Sequence, residues 1–239
     1  MSSLATRRMS DFFRQILMRR ALVTSNTNLA QGFQLIELEG DTLKGVGWVP
    51  GEKIQVAIEG SFATRTYTPV EWNALAGRTK LLCYSHGEGP GSAWCIRARP
   101  GQECHLLGPR GSIDLSAKVG PIVLIGDETS IALAHALVVD EPEIPLICLF
   151  EVNDLGAGQS VVGQLGIANT KTYQRRPDDA HLLRMEKDLS LVAGPGVNFV
   201  LTGKATTIQS LRRALQKLGI QSPQITAKAY WAPGKSGFD

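Results

Sequence analysis

Residues 121–139 read PIVLIGDETSIALAHALVV, and this stretch decides the fold class. The apolar run Ile122–Ile125 ends at Gly126 and Asp127, and neither proline nor glycine interrupts the sequence from there to Val139. A short apolar run that ends at glycine is typical of a buried strand, and a longer uninterrupted stretch after it is typical of a helix. The stretch therefore predicts a strand that leads into a helix.

The same alternation continues toward the carboxyl end of the chain. Further strands are predicted at Ile144–Val152, Ala168–Gln174, Asn198–Thr202 and Ile225–Trp231, and helices at Asp178–Leu189 and Thr206–Leu218. Strands that alternate with helices are typical of a doubly wound parallel sheet. This half of the chain is therefore predicted to be an α/β domain.

The sequence before this half has a different pattern of polar and apolar residues. Short polar and apolar runs, cut by glycine and proline, predict strands at Phe33–Leu38, Lys53–Ile58, Lys80–Ser85 and Cys104–Leu107. This pattern is typical of a small antiparallel barrel or sandwich. The residue pattern changes near Ala117–Gly120, from short strands to strands that alternate with helices. We therefore expect one domain over residues 1–118 and a second over residues 119–239.

Composition places the chain among globular proteins and excludes several functions. The chain has 239 residues, of which 43% are hydrophobic and 20% charged. Its apolar runs are much shorter than the roughly 18 residues that cross a bilayer, so no membrane insertion is expected. The net charge of +3 is too small and scattered for a nucleic-acid binder.

The common catalytic and metal-binding motifs are absent. The sequence contains no phosphate-binding loop of the nucleoside-triphosphatase type, no HExxH, no GxGxxG and no GxSxG. The four cysteines do not form CxxC pairs, so we expect reduced, buried thiols in a cytoplasmic protein and no metal site: Cys83, Cys95, Cys104 and Cys148.

The amino end is rich in arginine. Residues 1–20 hold five arginines against one acid, Asp11, which in composition resembles an organellar presequence. The regular apolar stripe of Phe12, Phe13, Ile16 and Leu17 instead favours a short amphipathic helix that begins near Ser10. We favour the helix.

The segment RTYTP, Arg65–Pro69, carries side chains that a flavin needs. On a strand, Arg65 and Tyr67 share one face, and Thr66 and Thr68 share the other. An aromatic ring can face the isoalloxazine, a hydroxyl can approach it, and a cation can bind the pyrophosphate. A plain edge strand that ends at Pro69 explains the same spacing, and spacing alone leaves both interpretations open.

The segment HGEGPGSAW, residues 86–94, is a glycine-rich loop. Its glycines let backbone N–H groups approach a phosphate, and Ser92 is predicted to cap the helix that follows. The alternative is a surface turn with Trp94 packed in the core.

Five motifs in order resemble one known family. RTYTP, HGEGPGSAW, LGPRG, GDETS and AYWAPG are together similar to the siderophore-interacting proteins, flavin-dependent ferric-siderophore reductases of the ferredoxin-reductase-like superfamily. The resemblance covers about residues 21–234. It implies an N-terminal antiparallel Greek-key β-barrel that binds FAD, followed by a C-terminal α/β parallel-sheet domain that binds a nicotinamide cofactor.

The resemblance also implies roles for individual residues. The isoalloxazine and ribityl part of FAD is assigned to Arg65, Tyr67 and Thr68. The rest of the cofactor and its pyrophosphate are assigned to His86, Gly87, Gly91, Ser92, Ala93 and Trp94. The approach of NADPH or NADH is assigned to Gly126, Asp127, Glu128 and Thr129. The chain departs from the family pattern at Val70, where an arginine is common, and at Lys204, where a glutamate is common.

The implied reaction needs no catalytic acid or base, because hydride and electron transfer do not require one. A ferric siderophore is the expected substrate, and a basic mouth would attract it through Lys53, Arg110 and Lys235. Ferredoxin is a further possible electron donor, and the chain is expected to be a monomer or a dimer. The alternatives are a general flavin or ferredoxin-linked oxidoreductase, and a non-catalytic protein that binds flavin or an iron chelate.

Overall fold

The computed structural model describes residues 18–58, 64–87 and 89–234. The amphipathic helix predicted near the amino end and Lys235 lie outside the described residues. Contacts divide the chain into two compact units. The first is built on the chain up to Thr27 and on Gln34–Gly111, and the second on Asn28–Phe33 and the chain from Ser112 onward.

The first unit holds nearly all of a seven-stranded sheet, together with one helix. Its strands are β1 (Arg19–Ala30), β2 (Phe33–Glu39), β3 (Glu52–Ala57), β4 (Thr64–Tyr67), β5 (Pro69–Asn73), β6 (Arg78–Tyr84) and β7 (Glu103–Gly111), and its helix is α1 (Pro90–Arg97). The strand order is β4-β3-β7-β1-β2-β6-β5. The β1/β7, β3/β4, β3/β7 and β5/β6 pairs are antiparallel, which confirms the predicted sheet type.

The core of this unit follows from alternation along the strands. On β1, Ala21 and Val23 are buried while Leu22 between them is 42% exposed. Buried side chains from β2, β3 and β6 join them, and α1 contributes Trp94 and Cys95. Successive strand residues point to opposite faces, so one face of the sheet is apolar. The helix packs on that face.

The second unit is a parallel sheet covered by helices. Its elements are β8 (Ile122–Asp127), α2 (Ile131–Asp140), β9 (Leu146–Val152), α3 (Leu155–Gln164), β10 (Thr170–Gln174), α4 (His181–Val192), β11 (Asn198–Lys204), α5 (Ala205–Lys217) and β12 (Ile225–Trp231). The strand order is β10-β9-β8-β11-β12, and every pair is parallel. The prediction of a doubly wound α/β domain is confirmed.

The strand order fixes where a ligand binds in such a sheet. The chain runs outward from β8 to β10 and then returns to β11 on the other side of β8. Ligands of open α/β sheets bind at this reversal, beyond the carboxyl ends of the strands. The ends of β8 and β11 are Asp127 and Lys204.

Four elements differ from the sequence predictions, and one of them is β5 (Pro69–Asn73), which no predicted strand covers. β1 was missed because its polar residues hide the alternation, and α3 was missed because it contains Gly156, Gly158 and Gly163. The Asp154 side chain nevertheless caps α3 by accepting a hydrogen bond from Ala157 N, at 2.9 Å. The helix predicted directly after Asp127 begins as a 3₁₀ turn, Glu128–Ser130.

The described residues contain no helix that is both long and apolar enough to cross a membrane. Within the same residues, no group of three or more His, Cys, Asp or Glu side chains is arranged to hold a metal ion. The four cysteines are buried free thiols, as the sequence predicts.

Candidate cofactor sites

The first candidate site lies where β4 meets the start of α1. Arg65 and Tyr67 pair with Val56 and Ile54 of β3. A Cβ atom added to Gly91 would lie 2.9 Å from Cγ of Arg65 and 3.3 Å from its Nε. The Arg65 side chain therefore lies across the first turn of α1, and it fits there because residue 91 has no side chain.

The first turn of α1 presents backbone donors. Gly89 is the N-cap, Pro90 opens the helix, and no side chain among the described residues caps it. The prediction that Ser92 caps this helix is wrong, because Pro90 has the fixed φ of a first helical residue and starts the helix earlier. Uncapped N–H groups at a helix start, with the positive end of the helix dipole and the Arg65 guanidinium beside them, form a site for an anion.

Tyr67 and Trp94 lie behind this turn. Their ring centroids are 5.8 Å apart with the planes tilted by 40°. The Tyr67 hydroxyl is 3.2 Å from Sγ of Cys95. Burial, together with the neighbouring thiols, raises the pKa of Tyr67 well above its ordinary value, so the phenol stays protonated. Trp94 is buried in the core of the unit.

The other predicted flavin residues differ in exposure. Thr68 and Ala93 are half-buried, and Ser92 is 5% exposed. His86 and Gly87 are exposed in the loop between β6 and α1. The loop thus leaves polar and backbone groups accessible next to the anion site.

The two predicted substrate cations that the structure describes, Lys53 and Arg110, differ in exposure. Lys53 is only 7% exposed on β3, where it pairs in register with Arg110 of β7. Arg110 is exposed. Burial of Lys53 leaves little of its side chain for a substrate in solvent. Val70, at the position where the family commonly has arginine, is buried at 1% exposure on β5.

The second candidate site is the end of β8. Oδ1 of Asp127 accepts hydrogen bonds from Thr129 N at 2.9 Å and from the Thr129 hydroxyl at 2.5 Å. The Asp127 N–H donates to the Ser130 hydroxyl, which closes a capping box around the turn. Asp127 is fully buried, and burial, with Glu128 adding repulsion, raises its pKa to about 6.

Two glycines allow this packing. A Cβ atom on Gly126 would collide with the Ser130 side chain, and one on Gly203, at the end of β11, would collide with the Asp127 carboxylate. Gly203 also has a φ of +93°, which only glycine adopts without strain. The ends of the two central strands therefore approach each other directly at the reversal of strand order.

A buried ionic network lies at the same edge of the sheet. Arg175, just beyond β10, donates to Glu128 Oε2 at 2.9 Å and to Asn153 Oδ1 at 2.7 Å. Glu128 Oε1 also accepts from the Asn153 N–H at 2.6 Å. Arg175 Nε lies 3.5 Å from Glu151 Oε2, too long for a strong hydrogen bond.

Glu151, at the end of β9, is itself fully buried. Its Oε1 accepts from the Thr207 hydroxyl at 2.7 Å, and its Oε2 lies 2.6 Å from His181 Nε2. His181 Nδ1 accepts from the Arg176 N–H at 3.2 Å, which places the ring proton on Nε2, facing Glu151. The Glu151 carboxylate thus links the end of β9 to the first turns of α4 and α5.

Trp231, the last residue of β12, contacts both Asp127 and Arg175. Its Nε1–H donates to Asp127 Oδ2 at 2.7 Å, and its ring lies 5.8 Å from the Arg175 guanidinium carbon. Sequence analysis missed Glu151, Arg175, His181, Thr207 and Trp231 as site residues. The sequence signals for them were the position of Glu151 near the end of a predicted strand, and that of Trp231 at the end of another and within the motif AYWAPG.

Lys204 follows Gly203 at the start of α5. Its ammonium lies 3.4 Å from Asp179 Oδ1, and its side chain is 13% exposed. The described structure therefore gives this lysine an acidic neighbour within its own unit.

Two family models match the chain. "Siderophore-interacting FAD-binding domain" matches residues 52–113, and "Siderophore-interacting protein" matches residues 120–234. Together the two matches cover most of the chain, in the order of the two units.

Curated relatives are similar over most of the chain. The NADPH-dependent ferric-chelate reductase of Escherichia coli is 23% identical over 198 residues, which cover 80% of this chain and 71% of the relative. The ferric vibriobactin reductase ViuB of Vibrio cholerae is 24% identical over 178 residues, 72% of this chain and 65% of the relative. The chain is thus shorter than both relatives.

Solved structures share the fold. A siderophore utilization protein from T. fusca has a TM-score of 0.75 at 21% identity, covering 93% of this chain and 95% of its own. The siderophore-interacting protein SipS of Aeromonas hydrophila has a TM-score of 0.75 at 18% identity, covering 92% and 93%. Phthalate dioxygenase reductase has a TM-score of 0.75 at 14% identity, covering 93% and 71%.

Proposed function

The chain belongs to the siderophore-interacting protein family, and from this premise we propose that it is an FAD-dependent ferric-siderophore reductase. Electrons pass from NADPH or NADH through FAD to the ferric chelate, and Fe(II) is released. The observation that carries the proposal is the match of both family models, each on the unit whose fold suits its cofactor. The two curated relatives, named as ferric reductases, support it.

We assign FAD to the antiparallel unit, within proposed domain bounds of 1–118. The donor set at the start of α1 fits the cofactor's pyrophosphate, since it combines uncapped N–H groups with the Arg65 guanidinium. The residues proposed to hold FAD are Arg65, Tyr67, Thr68, His86, Gly87, Gly91, Ser92, Ala93 and Trp94.

We assign the nicotinamide cofactor to the α/β unit, within proposed bounds of 119–239. Gly126, Asp127, Glu128 and Thr129 occupy the reversal of strand order, where such cofactors bind. The relative named as NADPH-dependent supports NADPH as the donor.

The mechanism requires little covalent chemistry from the protein. Bound FAD would supply the conversion between a nicotinamide, which gives electrons in pairs, and ferric ion, which takes them one at a time. Arg65 and the first turn of α1 bind the anionic part of the cofactor. The Asp127 hydrogen bonds fix Thr129 and Trp231 at the nicotinamide site.

Reduction releases the metal because of ligand preference. Ferric ion is hard and is held by the oxygen ligands of a siderophore, whereas ferrous ion is bound far less tightly. The exposed Arg110 is the described cation that we propose for attracting an anionic chelate. We further propose a cytoplasmic location, because the cytoplasm supplies reduced nicotinamide.

The test is the visible spectrum of the purified protein through one catalytic cycle. We expect FAD to bind stoichiometrically, to be bleached by NADPH without oxygen, and to be reoxidised by a ferric siderophore as a ferrous indicator develops colour. Bound flavin that is reduced but reoxidised only by free flavin would favour a general flavin reductase. Bound flavin that neither nicotinamide reduces would favour a ferredoxin-linked enzyme or a binding protein.

A pair of variants tests the FAD assignment. Arg65→Ala is expected to weaken FAD binding by about tenfold or more, since a hydrogen bond to a charged group contributes about 1.5–3 kcal/mol. Arg97→Ala is the matched control, because Arg97 is an exposed arginine in the last turn of the same helix. Equal FAD affinity in both variants would contradict the assignment.

A further inference from the structure

Two side chains from the outer strands of the parallel sheet meet beyond the end of its central strand. The indole N–H of Trp231, on β12, reaches across the end of β11 and donates to Asp127 Oδ2, at the end of β8, at 2.7 Å. From the other side, Arg175 beyond β10 donates to Glu128 Oε2 in the turn after β8, at 2.9 Å. The guanidinium carbon lies 5.8 Å from the centroid of the indole ring. The indole therefore lies where the strand order reverses.

The indole ring is fixed along one edge and covered on one face. Asp127, which binds the indole N–H, is 0% exposed, and the Arg175 guanidinium lies over the ring. Trp231 is half-buried, and no aromatic ring in the described part of the chain packs against it. The ring face opposite Arg175 is thus suited to a flat group, because aromatic rings stack favourably on one another.

The other three tryptophans belong to the antiparallel unit. Trp94 is buried there and packs against the Tyr67 ring. The indole N–H groups of Trp48 and Trp72 donate to backbone carbonyls of the same unit. Trp231 is therefore the tryptophan that the sheet places at the end of its strands.

The order of the strands decides which end of a dinucleotide faces Trp231. In dinucleotide-binding sheets, the pyrophosphate lies at the first strand-to-helix turn, and the adenosine ribose lies toward an acid about 20 residues further on. That turn here is Glu128–Ser130, and the acid near that spacing is Glu151 of β9. Since β9 and β12 lie on opposite sides of β8, adenosine toward β9 leaves the nicotinamide toward β12 and Trp231.

We propose that Trp231 is a binding residue for the nicotinamide ring of NADPH, which stacks on the indole face opposite Arg175. Arg175 is a positioning residue, because its ion pair with Glu128 fixes the guanidinium against the other face of the indole. The inference rests on the proposed function, in which this unit binds the dinucleotide. Stacking would hold the nicotinamide in one orientation, and hydride transfer requires such a fixed geometry.

The experiment measures, by calorimetry, the binding of two ligands to the full-length oxidised protein. NADP⁺ carries the nicotinamide ring, whereas adenosine 2′,5′-bisphosphate lacks it. Trp231→Leu is expected to weaken NADP⁺ binding by about tenfold, since it removes the stacked ring, and to leave binding of the bisphosphate unchanged. Trp231→Phe should keep most of the affinity for NADP⁺. Both variants lack the indole N–H, so the difference between them isolates the aromatic ring.

Tryptophan fluorescence gives a second readout that a merely structural role would not change. NADP⁺ is expected to quench the fluorescence of the wild type and not that of Trp231→Phe. Trp48→Phe is the matched control, because it removes a half-buried indole of the antiparallel unit and should keep the quenching.

The outcomes separate this inference from the proposed function. With the fold of Trp231→Leu checked by circular dichroism, unchanged affinity for NADP⁺ would overturn the inference. Equal losses for the two ligands would do so as well, as would weaker FAD binding with NADP⁺ binding intact. Binding needs neither electron transfer nor iron, so a wild type that binds NADP⁺ and reduces no ferric chelate would contradict the proposed function alone.

Discussion

At the scale of the residue, Gly203 combines two demands on one position. Its φ of +93° disfavours any side chain, and a Cβ atom there would collide with the Asp127 carboxylate. Gly219, at φ +82°, has the first constraint without the second, because a Cβ atom there would meet nothing within 4 Å. The two positions separate backbone strain from overpacking.

We expect Gly219→Ala to lower the free energy of unfolding by about 1 kcal/mol, the cost of a left-handed backbone conformation. Gly203→Ala should lower it by about 2–4 kcal/mol, because overpacking typically adds about 1–3 kcal/mol. Denaturant titration of both variants measures the difference. Equal losses would show that the Asp127 carboxylate moves away at little cost.

Asp127 gives stability a dependence on pH. Its pKa is about 6 in the folded chain against an ordinary value of 3.8, so the folded state holds the proton more tightly than the unfolded state does. Stability is therefore lost as pH rises through 6, by about 1 kcal/mol between pH 5 and pH 8. The difference between wild type and Asp127→Asn across that range isolates this contribution. A difference that grows in the wild type's favour as pH rises would contradict the assigned sign.

At the scale of the element, the Asn26 side chain binds the C-terminal end of α1. Asn26 of β1 donates from Nδ2 to the carbonyls of Cys95 and Ala98, both at 2.9 Å. These carbonyls belong to the last turn of α1 and its C-cap, which lack partners within the helix. β1 therefore supports the helix whose first turn is assigned to the cofactor.

We expect Asn26→Ala to lower the free energy of unfolding by about 1–3 kcal/mol, because it leaves two carbonyls without this donor. Thr24→Ala on the same strand is the control, since Thr24 is exposed and makes one 3.3 Å hydrogen bond to Glu37. Its effect should stay within about 0.5 kcal/mol. Thermal unfolding of the two variants compares them, and equal losses would remove Asn26 from this role.

Arg175 supports the turn after β8 and the ends of β9 and β10 in a similar way. Arg175→Met is expected to cost about 3–5 kcal/mol, because it leaves Glu128 and Glu151 buried without their cation. Lys44→Met, which breaks an exposed ion pair with Asp41, should leave the free energy of unfolding nearly unchanged. Urea unfolding at neutral pH measures both. A loss in Arg175→Met no larger than that in Lys44→Met would contradict the role assigned to Arg175.

At the scale of the whole molecule, local patterns predicted the fold well and the site only in part. The run Ile122–Ile125 identified β8 because a buried parallel strand is continuously apolar, and Ile225–Trp231 gave β12 with its observed bounds. The network of Glu128, Glu151, Arg175 and His181 could not be predicted, because its members come from the turn after β8, the ends of β9 and β10, and the start of α4. These contacts arise only from the order of the strands in the sheet, so the spacing of residues along the chain does not reveal them.

The pairing of β1 with β7 also constrains how the chain folds as it is synthesised. Leu22 lies opposite Glu103, so the partner of β1 on this edge is made only after nearly the whole antiparallel unit, whereas β2 on the other edge follows directly. Such a distant pair forms only after a long loop has closed. Closing the loop costs conformational entropy before any contact offsets it, and this slows folding. Until then β1 presents an unpaired edge, and this nascent stage is where we expect the chain to depend most on chaperones.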